Sequence, residues 1–335
     1  MPQDDLPSEP TRKGCSPHPA KGSTNPRVSQ PDDPLHIYYL HGRIPSKRFQ
    51  GHPDFLGSWQ EDGLSFLFFS KPAREEVAGL ASAEPDIDFI EEFQTTYGQW
   101  QGGTISSFSE GGLIFCPPWE DDACGDGPVL RFDPGVVFGT GLHPTTRDCI
   151  RALERICRSG SPGTVLDLGT GSGILALAAA AFRAELVVAV DCNPLAVQTA
   201  ARNIGLNDLQ DRVLPVQSLA EGAAALPADV LVANIHFDAM QRLLDEPGFF
   251  EKPRFILSGL MSRQAEAIRR RLSEAGAEIE TFWISEDGWV TLAGRNHSGH
   301  GLGRASPEES HARFRPVHVS GAEIRGRNAE HGAAC

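Results

Sequence analysis

The sequence predicts an α/β protein built on an open, mainly parallel sheet that ends in an antiparallel pair. Three observations carry that prediction. Short apolar runs alternate with helical stretches from Val129 onward. A glycine-rich turn, Gly169-Thr170-Gly171-Ser172-Gly173, joins one of those runs to a helix. The series then closes on two strand-like runs with no helix between them, which requires an antiparallel step.

Taken in order, TVLDLG reads as a buried strand and GILALAAAAF as the helix after the glycine turn. LVVAVD is a second strand, and NPLAVQTAARNIG a helix closing on Gly205. RVLPVQ, DVLVANI and RFILSGL supply three more strands, the last two being near-continuous apolar runs of the kind covered on both faces. SRQAEAIRRRLSEAG reads as a helix with Ser262 as N-cap and Gly276 as its stop; Ala265, Ile268, Leu272 and Ala275 share one face. EIETFWISED and GWVTLAGR form the closing pair.

Upstream, residues 35–98 contain the strand-like runs LHIYYL and LSFLFFS and the helical AREEVAGLA, a small α+β module. A Gly-rich, acidic connector occupies 99–130, and the large unit spans 131–296. Residues 1–34 are rich in Pro and hold no aromatic residue; they bury too little apolar surface to offset ordering entropy and are expected to be disordered. The same expectation holds for 297–335. That tail carries five of the eleven histidines, at irregular spacing among Gly, Ser and Arg, so no metal site is expected.

Composition narrows the function. The formal net charge is −14, with 44 acidic against 30 basic residues and no basic stripe, which argues against direct nucleic-acid binding. Seven cysteines without a CxxC pair suit reduced thiols in a cytoplasm. The N-terminus lacks the pattern of a secretory signal, and no apolar run is long enough to span a membrane. A monomer is the default expectation for oligomeric state.

The glycine turn is the most informative stretch. Glycines permit positive φ and let a ligand approach the backbone. The spacing is G-x-G-x-G, not the G-x-G-x-x-G that sets a pyrophosphate on a helix N-terminus, and Asp167 precedes it. A carboxylate there suits a cationic amino-acid ligand better than a diphosphate. Asp191 ends the next strand, 22 positions after Gly169, where an acidic side chain accepts hydrogen bonds from ribose hydroxyls. Capping the helix at Pro194 is its alternative role, for which Asn193 is equally placed.

The run FDPGVVFGTGLHPTT (Phe132–Thr146), followed by VLDLGTGSGILALAA, VAVDCNPLAVQTAARN, VLVANI and ILSGLMSRQAEAI, resembles the ribosomal protein L11 methyltransferase (PrmA) family. The resemblance covers about 129–296. It implies a class I methyltransferase fold, with a Rossmann-like sheet of seven mostly parallel strands. It also implies S-adenosylmethionine as cofactor and methylation of lysine and N-terminal amines on ribosomal protein L11. It implies that Thr146, Gly169, Gly171, Asp191 and Asn234 contact the cofactor, and that Phe138, Gly139, Thr140 and Gly141 line the cofactor and the methyl-transfer channel. The small module at 35–98 would then read the substrate, although it only faintly echoes the family's N-terminal domain.

Residue chemistry adds a role for Asn234, whose side-chain oxygen can accept from an incoming amine; its alternative is to cap the helix FDAMQRLL. His236 departs from the family pattern and is a candidate proton acceptor, against the commoner role of a surface or packing residue. His143 is read as ordering its loop. A lysine amine, with a reference pKa of about 10.4, must lose a proton before it attacks, and burial in an apolar channel favours that loss. Most of the rate should then come from alignment. Three alternatives stand beside this reading: a lysine methyltransferase acting on another protein such as a flavoprotein subunit, a nicotinamide dehydrogenase, and a non-catalytic adenosyl-binding module.

Overall fold

A computed structural model describes residues 30–297, apart from 46, 47, 50, 62, 104 and 121–125. Of the tails expected to be disordered, 1–29 and 298–335 lie outside the described residues. The chain is engaged earlier than position 35, however. Pro31 and Asp33 carbonyls accept the N–H groups of Gly98 and Tyr97 at 2.8 and 3.0 Å, and the first strand opens at Pro34.

The small module comprises β1 (Pro34–His41), β2 (Phe55–Glu61), β3 (Leu64–Phe69), α1 (Arg74–Ala83), β4 (Asp88–Thr96) and α2 (Tyr97–Trp100). Its antiparallel sheet has the order β2-β3-β1-β4. The continuous apolar character of LHIYYL follows from both faces being covered. Tyr38 and Leu40 pack with Val77 and Leu80 of α1, whereas Leu35 and Ile37 pack on Val136, Val137 and Leu195 of the large unit. Strand β2 carries Gly57, Ser58 and Gln60 and shows no alternation that would reveal it in the sequence.

The connector holds β5 (Phe108–Glu110) and β6 (Leu113–Cys116), which join β7 (Val129–Arg131) in a three-stranded sheet. Next comes α3 (Pro144–Arg158), a helix the sequence reading treated only as the end of a loop. The alternating series then runs β8 (Thr164–Leu168), α4 (Ile174–Ala181), β9 (Leu186–Asp191), α5 (Pro194–Leu206), β10 (Val213–Gln217), α6 (Ala220–Ala223) and β11 (Val230–Asn234). It finishes with α7 (Phe237–Asp245), α8 (Pro247–Phe250), β12 (Arg254–Met261), α9 (Ser262–Glu274), β13 (Glu278–Ile284) and β14 (Trp289–Arg295).

These strands make the expected seven-stranded sheet, in the order β10-β9-β8-β11-β12-β14-β13. All pairings from β10 to β12 are parallel, and those of β14 with β12 and β13 are antiparallel. Period-two alternation divides the core. Val165, Val187, Val232 and Ile256 face one layer, with the buried side chains of α3 and α4; Leu166, Val188, Leu231 and Phe255 face the other, with α7 and α9. Each such side chain contributes about 1.5–3 kcal/mol of burial, so a parallel sheet sandwiched this way is held mainly by apolar contact.

Helix ends differ from the sequence reading in two places. α5 continues through Gly205 to Leu206, because Asn207 caps it while its side chain pairs with both backbone groups of Arg131 at 2.8 and 2.7 Å. The N-cap of α9 is Met261, not Ser262; Gln264 Oε1 accepts the Met261 N–H, and the Ser262 hydroxyl donates to the Gly288 carbonyl. Gly276 does end that helix, at φ +78°, but Ala275 is exposed and outside the buried stripe.

Candidate active site

Strand order reverses between β8 and β11: the chain steps from β8 out through β9 to β10, then returns to β11 on the other side. Loops that diverge at such a point leave a crevice outside the carboxyl ends of the strands. A cavity of 540 Å³ occupies that place. Gly169 and Gly171 after β8, Asp191 at the end of β9, Asn234 at the end of β11 and Phe138 from the preceding loop all line it. The small module closes another side through Arg43, Ser58, Trp59 and Gln60. Trp59 meets the otherwise exposed Phe138 ring edge to face at 5.0 Å.

The turn between β8 and α4 is held entirely from within. Gly169 and Thr170 donate to the Val190 carbonyl, Gly171 to Asp191 Oδ2 at 2.9 Å, Ser172 to the Phe138 carbonyl at 3.0 Å, and Gly173 to the Thr170 carbonyl. Five consecutive N–H groups are therefore already spent on protein acceptors. A phosphate cradle needs such groups free. Glycine is required because φ is +72°, +55° and +86° at 169, 171 and 173, and a Cβ on Gly171 would lie 2.6 Å from the Phe138 oxygen.

Asp191 ties this turn to β9. One carboxylate oxygen accepts from Gly171 and the other from Asn193 at 2.9 Å, while Asn193 caps α5 through the Leu195 N–H. The capping alternative for Asp191 thus falls to Asn193. Burial holds the Asp191 carboxyl above its usual range, and the backbone donors offset part of that shift.

Asp167 has a different place from the one its sequence position suggested. It does not line the cavity; it is buried beneath the turn, accepts the Thr170 hydroxyl at 2.6 Å, and is pushed by burial to a pKa of about 7. On β8 it shares the face of Val165, which looks into the α4 layer. The turn and the strand's alternation together turn this carboxylate away from the ligand side.

The loop before α3 is stitched to the same turn. The Gly139 carbonyl accepts the Ser172 hydroxyl at 2.7 Å, and Thr140 Oγ1 accepts the Leu142 N–H at 3.3 Å. Phe138 lines the cavity, whereas Gly139, Thr140 and Thr146 are not among its lining residues. Thr146 is buried in the first turn of α3, and its neighbour Thr145 is the residue that reaches Asn234, through the Thr145 hydroxyl at 3.3 Å from Asn234 Nδ2. His143 caps α3 with Pro144 behind it and packs edge to face on Trp289 at 5.0 Å. Burial lowers its pKa, against the opposing field of Asp287.

Asn234 is not a helix cap. The residue before α7 is His236, which is exposed at the cavity wall and makes no capping hydrogen bond through its side chain. Sequence reasoning missed Thr145, Ser172 and Trp59. The phase of α3 separates Thr145 from Thr146, and β2 carries no pattern that would bring Trp59 forward.

Taken together, the seven-stranded sheet order, the antiparallel end and the glycine turn define a class I methyltransferase fold. A profile of the ribosomal protein L11 methyltransferase (PrmA) family matches residues 106–297, and the chain belongs to that family. It is 41% identical over 180 residues to the ribosomal protein L11 methyltransferase of Geobacillus kaustophilus, covering 52% of this chain and 57% of the relative. The Bacillus cereus (strain Q1) protein of the same name is 40% identical over 185 residues, covering 54% and 58%. The chain therefore spans little more than half the length of these curated relatives. Among solved structures, ribosomal protein L11 methylase from Lactobacillus delbrueckii subsp. bulgaricus superposes with a TM-score of 0.51 at 32% identity, over 57% of this chain and 100% of that one.

Proposed function

We propose that this protein transfers methyl groups from S-adenosylmethionine to lysine and N-terminal amines of ribosomal protein L11. The observation that carries the cofactor choice is the engagement of all five N–H groups from Gly169 to Gly173 by protein acceptors. Such a turn offers close backbone approach without donors for a diphosphate, which disfavours a dinucleotide and suits an adenosyl amino acid.

The donor set fits that ligand. Gly169 and Gly171 present backbone to the cavity, and Asp191 retains acceptor capacity for ribose hydroxyls beyond its two backbone bonds. Bound there, the cofactor supplies an electrophilic methyl group on a sulfonium. Asn234 orients the acceptor amine through its side-chain oxygen, and Phe138 with Trp59 forms an aromatic wall of the channel. The partly apolar wall favours the neutral amine, so alignment, not a strong base, supplies most of the rate. Thr146, Gly139 and Thr140 then support the site through the loop and helix that shape it, and His236 faces the channel mouth. Residues 35–98 act as the substrate-reading part and 131–296 as the catalytic part. The thiols of Cys116, Cys149 and Cys157, none of them in a disulfide, support action in a reducing cytoplasm, and a monomer stays the expected state. No helix among the described residues is long and apolar enough to cross a membrane.

A second reading keeps the chemistry and changes the acceptor to another protein's lysine. It is favoured by the family match beginning at residue 106, which leaves the whole small module outside it. One experiment separates the two: incubate the protein with isotopically labelled S-adenosylmethionine and a total ribosomal protein fraction or cell extract, then read methyl increments by mass spectrometry. Label on L11 supports the first reading, label elsewhere the second, and none anywhere, with no cofactor binding by calorimetry, overturns both.

A further inference from the structure

We propose that His143 and Thr145 are positioning residues for the acceptor amine: a hydrogen-bond chain from His143 through Thr145 to Asn234 turns the Asn234 side-chain oxygen, and not its NH₂, toward the amine. The inference rests on the function proposed above and assigns to two residues behind the cavity wall a part in it.

The polarity of the chain follows link by link. His143 is the N-cap of α3, and the Thr145 N–H points at its Nδ1 at 3.4 Å. Nδ1 is therefore the lone-pair nitrogen, and the proton of the neutral ring sits on Nε2. Thr145 Oγ1 lies 2.7 Å from the same Nδ1, and in that tautomer its hydroxyl is the donor, sharing the one Nδ1 lone pair with the longer 3.4 Å N–H contact. A hydroxyl has one proton, so what remains to Thr145 Oγ1 is acceptor capacity. The Asn234 atom facing it, at 3.3 Å, is accordingly the donor Nδ2. Oδ1 is left on the opposite side of the amide.

The surroundings keep that oxygen clear. A Cβ at Gly259 would stand 3.1 Å from Asn234 Oδ1 and 2.6 Å from the Ile235 carbonyl; residue 259 is glycine, with φ +82°. Asn234 lines the cavity, whereas Thr145 is only 3% exposed and neither it nor His143 lines that space. The far end of the chain is braced by the Trp289 ring on β14. An amine about to attack an electrophile needs its lone pair forward and its N–H groups held. A carbonyl oxygen accepts such an N–H, while an NH₂ in the same place would present donor to donor. Reversing the chain would thus misdirect the nucleophile without removing any group that touches the cofactor.

The test combines kinetics with a direct reading of the chain. Using recombinant ribosomal protein L11 as acceptor, Thr145→Val should lower kcat about tenfold or more while leaving KM and S-adenosylmethionine affinity within about twofold, and Thr145→Ser should restore most of the loss. An unchanged kcat in the valine variant, or loss shared equally by the serine variant, overturns the proposal. Independently, ¹⁵N-histidine NMR of the wild-type protein should show His143 as the Nε2–H tautomer at neutral pH; the Nδ1–H tautomer overturns the chain whatever the kinetics. If the wild-type protein methylates nothing, the proposed function fails, and the tautomer still decides whether the chain exists.

Discussion

Asp167 titrates where a surface carboxylate never would, because its strand turns it into the α4 layer. Its unfolded-state pKa is about 3.9, and burial raises the folded value to about 7. A raised folded value means that the native state holds the proton more tightly, so this contribution to stability is complete below about pH 4 and is lost as pH rises through 7. Asp167→Asn should flatten the decline in stability across about pH 4–7, as read by urea midpoints at a series of pH values; an unchanged slope would remove Asp167 as its source. Asn234→Ala should reduce turnover about 10–100-fold, with cofactor affinity by calorimetry much less affected, and an undiminished kcat would end its assignment to the amine. Some of this was legible: Asp191 and Asn234 stand at strand ends, and strand ends can be read from apolar runs. The burial of Asp167 was not legible: β8 is apolar on both faces, and only the packing of Val165 into the α4 layer shows which way the carboxylate turns. The choice between Thr145 and Thr146 was not, because it depends on where α3 begins and how it is phased against β11.

At the scale of elements, the 169–173 turn and the 138–141 loop behave as one piece. Ser172 bonds both the Phe138 and Gly139 carbonyls, and Gly171 leaves no room for a Cβ beside the first of these. Gly171→Ala must therefore push the loop away while also straining a positive φ. A cost of about 1–3 kcal/mol in stability is expected, together with weakened S-adenosylmethionine binding in calorimetry; binding at wild-type strength would show that the two segments are not mechanically joined. The strands and helices of the large unit were largely readable because a doubly covered parallel sheet writes itself as alternating apolar runs and amphipathic stretches. α3 escaped because its start is disguised by the FGTGLHPTT loop, although the signal was present: Pro144 after a capping His143, then Ile150, Leu153 and Ile156 on one face.

Over the whole molecule, the small module is part of the site's architecture. Leu35, Ile37, Phe68 and Tyr97 share a core cluster with Val136, Val137, Leu195 and Ala196. Beneath it the Tyr97 hydroxyl donates to Asp133 Oδ1 at 2.5 Å, Arg202 stands 3.4 Å from Asp133 Oδ2, and Asn203 pairs with the Asp133 backbone. Burial beside Asp133 pushes the Tyr97 phenol well above its ordinary value, so it remains a donor at any physiological pH. Tyr97→Phe should lower stability by about 1–2 kcal/mol in chemical denaturation; no change would show that the buried bond is not a tie between the two units. Trp59→Ala, by opening the wall beside Phe138, should weaken S-adenosylmethionine binding measured by calorimetry, whereas a wall without function would leave it unaltered.

The sequence by itself determined the sheet's character, its antiparallel end and the glycine turn, because apolar periodicity and positive-φ residues are local consequences of local composition. The G-x-G-x-G spacing and the segment through Thr146 likewise carried the family. Only the tertiary structure decided which groups face the cavity, that Asp167 is turned away from it, and that Thr145 backs Asn234. It alone brought Trp59 from β2 against Phe138. Those contacts join residues far apart in the chain, and no local periodicity encodes the distance between them.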